Sequence, residues 1–304
     1  MIRQLIRPLS IPVALAAGAL LTDARAGVPY LPYFIMGMLF IALLPVNLRD
    51  LHFRRQHWYL VGAGLLSGIL PWLIAQKFGT NDWLEMLFFC QLAPVASAMT
   101  TVISFLRGKV GFCATAFVVD NIFIAVALLF FLPTMRATGG EPLGELALDI
   151  GQSLGMVFAA PFVLAQLARR LYPPVGEWSA KYKLGRVAFT LWWLVLFIVG
   201  AYTVDFLRHS GAVSGGQMLL VALISLALCG FNFTLGYYLG GKEFSRECSQ
   251  ALGQKNTIFA IYLALAFANP VVAMAPIFYL LWQNLWNAWQ LLAVATGWRK
   301  AINN

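Results

Sequence analysis

The chain has 304 residues, of which 61% are hydrophobic and 11% are charged, and it carries a formal net charge of +9. Soluble domains carry about 25% charged residues, so this composition excludes a large soluble protein and indicates a polytopic membrane protein in a lipid bilayer. The basic residues lie in connectors between apolar segments, and their distribution favours a membrane orientation over a nucleic-acid partner.

Ten apolar segments follow one another, each close to the roughly 20 residues that a helical crossing needs. The predicted crossings are Leu9–Thr22, Tyr30–Asn47, Trp58–Gln76, Trp83–Leu106, Val110–Met135, Ile150–Ala168, Val187–Val204, Ala212–Gly240, Phe244–Ala268 and Val271–Thr296. The predicted fold class is therefore all-α, with ten transmembrane helices. Arg3, Arg7 and the Ala24-Arg25-Ala26 stretch are also typical of a signal peptide, and cleavage there would leave nine crossings.

Lysine and arginine are distributed unevenly between the connectors. With the N-terminus placed in the cytoplasm, 16 of the 21 lie in cytoplasmic connectors, four lie outside and one lies within a crossing. Positive residues favour the cytoplasmic side. The sequence therefore predicts a multi-pass protein of the inner or plasma membrane, with both termini in the cytoplasm.

A helix break followed by a tight turn and a buried polar pair occurs twice along the chain. Pro94 interrupts the fourth crossing, and Asp120-Asn121 lies in the fifth; Gly253 interrupts the ninth crossing, and Gln283-Asn284 lies in the tenth. Halves of five crossings have opposite orientations, as in the inverted repeats of many secondary transporters. The predicted repeats are residues 1–136 and 150–304.

Asp120 and Lys255 are the only charged residues deep inside the predicted crossings. An intramembrane charge is costly and is by default a functional-site hypothesis. Two interpretations stay open, a structural ion pair that fixes two helices and a titrating pair on a transport path. Because an isolated buried charge is far more costly than a paired one, we expect the two side chains to lie close together.

Amide and hydroxyl side chains cluster near both breaks. Any one of them alone is better explained by hydrogen bonding between helices, but together they favour a substrate or ion path, because broken helices in a bilayer line protein or water. The predicted path residues are Lys255, Asn256, Gln254, Thr257, Asp120, Asn121, Thr100, Gln283 and Asn284, with helix breaks at Pro94 and Gly253. The tryptophan stripe is interpreted either as a packing surface or as the wall of a ligand pocket; it consists of Trp282, Trp286 and Trp289.

No catalytic or metal-ligand pattern occurs in the sequence. The four cysteines are far apart, and the three histidines lie in polar connectors without a His-Glu-x-x-His motif. We therefore predict that the protein is not an enzyme, that it holds no metal or cofactor, and that it does not require an oligomer.

The chain resembles the bile acid:sodium symporter family in its length, its ten predicted crossings and both breaks. Similar members carry Glu-x-Gly-x-Gln-Asn at the ninth-crossing break, where this sequence reads Ala251-Leu252-Gly253-Gln254-Lys255-Asn256. Pro94 matches the family's fourth-crossing break, and Gln283 replaces a histidine in the last crossing. The resemblance implies a core bundle of crossings three to five and eight to ten, and a panel bundle of crossings one, two, six and seven. It also implies crossed broken helices, with substrate bound between core and panel and alternating access by rocking.

The family's sodium ligands are mostly missing here. Its Glu and Gln positions are Ala251 and Lys255, and its fourth-crossing Ser-Asn pair is Met99-Thr100. Hard cations require oxygen donors, which alanine and methionine side chains do not supply. Our hypothesis is that the Lys255 ammonium replaces the sodium ion, so that transport of a small organic anion is sodium-independent.

The resemblance implies a bile-acid-like, carboxylate or sulfate substrate, and a coupling proton on Asp120 or Lys255 is a second hypothesis. Three alternatives stay open. The protein is a sodium-coupled organic anion symporter, an ion or proton exchanger that uses Asp120 and Lys255, or a non-transporting membrane receptor.

Overall fold

The computed structural model describes residues 13–137, 142–210 and 214–295. Within these ranges the chain is helical, and its only β-type contact is an isolated antiparallel bridge between Val95 and Lys255. The start of the predicted first crossing and the end of the predicted last crossing lie outside the described residues.

The helices are α1 at 13–20, α2 at Leu31–Leu43, α3 at Arg55–Phe78, α4 at Asp82–Gln91, α5 at Ala98–Phe105, α6 at Val110–Ala137, α7 at Leu143–Leu154, α8 at Ala160–Leu171, α9 at Trp178–Lys181, α10 at Leu184–Ser210, α11 at Gly215–Gly253, α12 at Thr257–Phe267 and α13 at Pro270–Ala295. Short 3-10 helices lie at Thr22–Tyr30, Leu48–Asp50 and Pro173–Glu177. A π-helical turn at Gly155–Ala159 joins α7 to α8.

Six helical stretches in the described ranges are long and apolar enough to cross a membrane. They are Thr22–Leu43, Arg55–Phe78, Val110–Arg136, Gly144–Leu171, Leu184–Asp205 and Gly215–Gly253. Large apolar side chains such as Leu66 and Phe130 are exposed on their outer surfaces, where a bilayer would cover them. This fold is consistent with the predicted all-α polytopic membrane protein.

The longest helix, α11, turns back on itself at Gly241. This glycine has a φ of +60°, which L residues with side chains rarely adopt. Beyond it the chain packs antiparallel to the preceding part, so closely that a Cβ on Gly236 would lie 2.3 Å from the carbonyl oxygen of Cys248. Helix α11 therefore consists of two antiparallel parts, 215–240 and 244–253, which meet at the boundary predicted between the eighth and ninth crossings.

A second glycine with positive φ lies at the corresponding point of the first half. Gly79, with a φ of +83°, ends α3 just before α4 begins. In both halves, a long helix thus leads through a left-handed glycine into the first part of an interrupted helix. Because only glycine adopts this conformation without strain, both reversals are fixed by sequence.

Both predicted helix breaks occur in the structure. Helix α4 ends at Gln91, three residues before Pro94. Proline has no N–H to donate, and it disfavours a helical conformation of the residue before it, here Ala93. Helix α11 ends at Gly253, where a Cβ would lie 2.4 Å from the ring of Phe233. Helix α12 then starts after Asn256, whose Oδ1 accepts a hydrogen bond from the N–H of Phe259 at 3.2 Å, an ordinary N-terminal cap.

Two groups of helices pack separately over much of their length. The first group consists of α3, α4, α6, α11, α12 and α13. The second group contains α2, which contacts α8 and α10, and α7, which is joined to α8 by the π-helical turn. The first group encloses large buried side chains, among them Phe88, Phe233, Phe259 and Tyr279. The two groups meet where α6 contacts α7 and α12 contacts α2, and both helix breaks lie inside the first group.

Candidate functional site at the crossed helix breaks

The two breaks meet and pair through their backbones, forming the antiparallel bridge between Val95 and Lys255, and this meeting point of the breaks is the crossing. The bonds run from the N–H of Ala96 to the carbonyl of Gln254 at 2.9 Å, and from the N–H of Asn256 to the carbonyl of Pro94 at 2.6 Å. Helix ends leave backbone groups without intrahelical partners, and in a bilayer each such group costs several kcal/mol if it stays unbonded. Each break therefore supplies the hydrogen bonds that the other has lost.

Helix α6 holds the first break through two consecutive side chains. The Asp120 carboxylate accepts a hydrogen bond from the N–H of Val95 at 2.8 Å through Oδ2, and the Asn121 amide donates to the carbonyl of Val95 at 3.0 Å. Asn121 also donates to the carbonyl of Phe117 at 2.7 Å, within its own helix. Both backbone groups of Val95 are thereby fixed by α6.

Helix α13 holds the second break in the same manner through one side chain. The Gln283 Oε1 accepts a hydrogen bond from the N–H of Lys255 at 3.1 Å, and its Nε2 donates to the carbonyl of Lys255 and to the hydroxyl of Thr257, both at 3.3 Å. Each break is thus held by the second helix after it along the chain, α6 for the first break and α13 for the second. The polar pairs predicted in crossings five and ten both reach a break, the second through Gln283.

The side chain of Lys255 has no comparable partner. It is 1% exposed, and its Nζ has no hydrogen-bond partner among the described residues. Asp120, 3% exposed, lies near it. Asp120 Oδ1 and Lys255 Nζ lie 3.8 and 3.9 Å from the point where a Cβ on Gly64 would stand, although the two side chains form no direct ion pair. The expected proximity of the two charges is thus present without contact.

The other predicted path residues divide into two sets. Gln254 is 2% exposed beside Lys255, and neither atom of its amide has a partner in the part of the chain that the structure describes. Thr100 donates to the carbonyl of Ser97 and Asn284 donates to the carbonyl of Leu280, each within its own helix. The structure therefore gathers Gln254, Lys255, Asn256, Thr257, Asp120, Asn121 and Gln283 at the crossing, and leaves Thr100 and Asn284 with local bonds.

Sequence reasoning missed a buried amide cluster next to the second break. Gln250 donates to Asn287 at 3.2 Å and to Gln290 at 2.8 Å, and all three side chains are buried. The signal was present, because Gln283, Asn287 and Gln290 recur at the i, i+4, i+7 spacing of one helix face. This face of α13 is therefore polar from Gln283, which bonds the second break, to Gln290.

A second network missed at the sequence level anchors the end of α11. The hydroxyl of Tyr279 donates to the carbonyl of Gly253 at 2.9 Å and accepts from Asn232 at 3.0 Å. Asn232 also donates to the side chain of Gln91 at 3.0 Å, at the end of α4. The ends of both first half-helices are thus tied together through α11 and α13.

A cavity of about 290 Å³ lies beside the crossing, between α6 on one side and α2, α7, α8 and the π-helical turn on the other. Its lining is apolar except for Asn121, whose Oδ1 has no hydrogen-bond partner in the described ranges. Single π-helical turns occur frequently at functional sites. Asn121 therefore contacts both the break at Val95 and this cavity.

The tryptophan stripe does not line this cavity. The indole of Trp282 donates to the carbonyl of Ala222 at 2.9 Å, and the ring of Trp286 stacks on Phe233 with 5.3 Å between centroids. These two contacts pack α13 against α11, as in the packing interpretation. The described residues also include no group of three or more histidine, cysteine or acidic side chains placed to hold a metal ion.

Comparison of the sequence with protein-family models and with curated proteins finds no match. The function therefore has to be inferred from the geometry of the crossed breaks and the adjacent cavity.

Proposed function

We propose that the protein is a secondary active transporter that moves an amphipathic organic anion by alternating access. The main observation in support is that Asn121 donates a hydrogen bond to the carbonyl of Val95 in the first break and also lines the cavity. Discontinuous helices around a central site are typical of secondary transporters. A solute that engages Asn121 would act directly on the backbone of the crossing.

Reciprocal contacts between the halves support two inverted repeats. Asp82, at the start of α4, accepts a hydrogen bond at 2.9 Å from Asn269 in the turn before α13. Glu247, in the second part of α11, accepts one at 2.7 Å from the N–H of Lys109 in the turn before α6. Each tight turn is held by a carboxylate from the first half-helix of the other repeat, the relationship that a two-fold axis in the membrane plane would create.

Ten crossings follow if interrupted helices are counted as one each. They would be α1, α2, α3, α4 with α5, α6, α7 with α8, α10, the first part of α11, its second part with α12, and α13. The helices that contact one another around the breaks would form the core bundle, and α1, α2, α7, α8 and α10 the panel. The cavity would lie between core and panel, where rocking could expose it to either side.

The chemistry of the cavity supports a solute with a large apolar body. A cavity with one amide and otherwise apolar lining favours a hydrophobic skeleton with a single polar group. Helices α5 and α12 both begin just after a break, so the positive ends of their dipoles lie at the crossing. The buried Lys255 ammonium lies close by. These charges favour an anionic headgroup, such as a carboxylate or sulfate.

Coupling would not use sodium. The side chains of Met99 and Ala251 are buried and supply no oxygen, and the Lys255 ammonium, which extends from the second break, lies beside Gly64 of α3. The positive charge of Lys255 would replace a bound cation, and Asp120 or Lys255 would carry a coupling proton. The nearness of these two groups also favours one competing function, a proton or ion exchanger without an organic substrate.

Transport by purified protein in liposomes tests the proposal. We expect uptake of amphipathic carboxylates or sulfates that does not change when sodium is replaced by N-methylglucamine, and that is lost in Asn121→Leu but retained in Asn284→Leu. Sodium-dependent uptake would favour the sodium-coupled alternative. Proton or cation flux without organic anion uptake would favour the exchanger, and no flux of any solute would favour a receptor.

A further inference from the structure

Three glycines of α3 differ in what surrounds them. A Cβ on Gly62 would meet nothing within 4 Å, and a Cβ on Gly68 would collide with Leu92 at 2.6 Å. Gly64 is buried, yet apart from its own stretch of helix no heavy atom lies nearer than 3.8 Å to its Cβ position. Close packing therefore explains the glycine at 68, whereas the glycine at 64 leaves an unfilled space inside the core.

Two charged atoms border this space. Asp120 Oδ1 is 3.8 Å from the Cβ position of Gly64, and Lys255 Nζ and Ile124 Cδ1 are each 3.9 Å from it. A water oxygen stays about 3.3–3.6 Å from a Cα, so it would lie farther out than a Cβ, in the gap between the carboxylate and the amino group. The space is thus bordered by a carboxylate oxygen, an amino group and one methyl group, a lining that suits one small polar molecule.

Both charged groups have unused hydrogen-bonding capacity. Lys255 Nζ is buried without an acceptor in the described part of the chain, although an ammonium has three donors. Asp120 accepts the hydrogen bond from the N–H of Val95 through Oδ2, so Oδ1 can accept another. A buried donor without a partner is strongly unfavourable, and buried waters commonly satisfy such groups where several polar atoms converge.

We propose that one water molecule occupies the space beside Gly64 and bridges Asp120 Oδ1 to Lys255 Nζ. Residue 64 is then a glycine because a methyl group would displace that water. The bridge separates the two charges and keeps them coupled, which explains why they are neighbours without direct contact. The water site itself does not depend on transport.

The role of the bridge in coupling rests on the proposed function. The Lys255 ammonium donates a proton to the water while the water donates one of its own to the Asp120 carboxylate. An amine and a carboxylic acid then replace the two charged groups, and the water is regenerated. The water would thereby let a proton pass between the two groups without movement of either helix.

The test compares Gly64→Ala with Gly62→Ala in the full-length purified protein. Both substitutions bring the same gain in helix propensity, so they differ in what the new methyl group meets. We expect Gly64→Ala to melt several degrees below Gly62→Ala, because Lys255 loses its acceptor. In a Lys255→Met background this difference should vanish, since methionine needs no acceptor.

Gly64→Ser provides a second variant whose hydroxyl can replace the water oxygen. We expect it to melt above Gly64→Ala, with Gly62→Ser and Gly62→Ala as the matched pair that measures the intrinsic effect of serine. Equal melting of Gly64→Ala and Gly62→Ala would overturn the proposal, as would a difference that persists in the Lys255→Met background. An effect that disappears when gluconate replaces chloride would identify a bound anion, and would also overturn it.

The coupling role has its own readout. In liposomes, uptake driven by a pH gradient should fall in Gly64→Ala but not in Gly62→Ala, whereas binding of the organic anion should persist. Unchanged pH-driven uptake in Gly64→Ala would refute the coupling role and leave the water site standing. If the wild-type protein transports nothing, the proposed function fails while the melting comparison still decides the water site.

Discussion

The backbones of Val95 and Lys255 face each other in an antiparallel bridge, and each is held by a side chain of the second helix after its break, Asp120 of α6 or Gln283 of α13. Both backbone groups of Lys255 are therefore hydrogen-bonded, while its side chain forms no hydrogen bond with any described residue. Because the Lys255 side chain makes none of the hydrogen bonds that hold the two breaks together, substitutions of this side chain should separate function from folding.

Lys255→Met should fold, because the backbone of residue 255 that pairs the two breaks is unchanged, but it should melt below the wild type, because the Asp120 carboxylate is left buried without its positive neighbour. It should abolish uptake driven by a pH gradient. The measurements are thermal unfolding and proteoliposome uptake, with Lys109→Met, which removes an exposed ion pair with Glu243, as the control. Undiminished pH-driven uptake in Lys255→Met would count against a coupling role for this residue.

Asp120→Ala should destabilise the protein more than Asp120→Asn. The alanine leaves the N–H of Val95 buried without an acceptor, at a cost of about 1–3 kcal/mol. The asparagine oxygen can still accept that bond. Chemical denaturation in detergent measures the order, and equal destabilisation by the two substitutions would show that the Val95 bond contributes little.

Ala125→Phe should block the cavity without disturbing the crossing. Ala125 lines the cavity, whereas Phe123, on the same helix, does not. We expect Ala125→Phe to lose stabilisation by added amphipathic anions in a thermal-shift measurement, and Phe123→Trp to keep it. Loss of stabilisation in both variants, or in neither, would place the ligand somewhere else.

Glu247→Ala should cost about 1–3 kcal/mol, because the buried carboxylate accepts the N–H of Lys109 in the turn before α6. Glu243→Ala removes only an exposed ion pair with the Lys109 side chain, which solvent screens, so this substitution should cost much less. Denaturant midpoints of the two variants measure the difference. Equal midpoints would argue against Glu247 as an anchor of the turn.

The sequence by itself determined the helical membrane character of the chain and the places where helices are interrupted. Hydrophobic length, Pro94 and Gly253 are local properties, and they act on the backbone whatever surrounds them. The all-helical prediction is confirmed for the described residues. Ten crossings and inverted repeats remain predictions, which the reciprocal contacts of Asp82 and Glu247 support.

Only the tertiary structure decided which polar groups meet. Thr100 and Asn284 look the same in sequence as Asn121 and Gln283, yet the first two bond within their own helices and the other two bond a break. A buried polar group takes whichever partner the packing brings within reach, so its role depends on residues distant along the chain. The space beside Gly64 exists for the same reason, because two separate helices, α3 and α6, and the break at Lys255 border it.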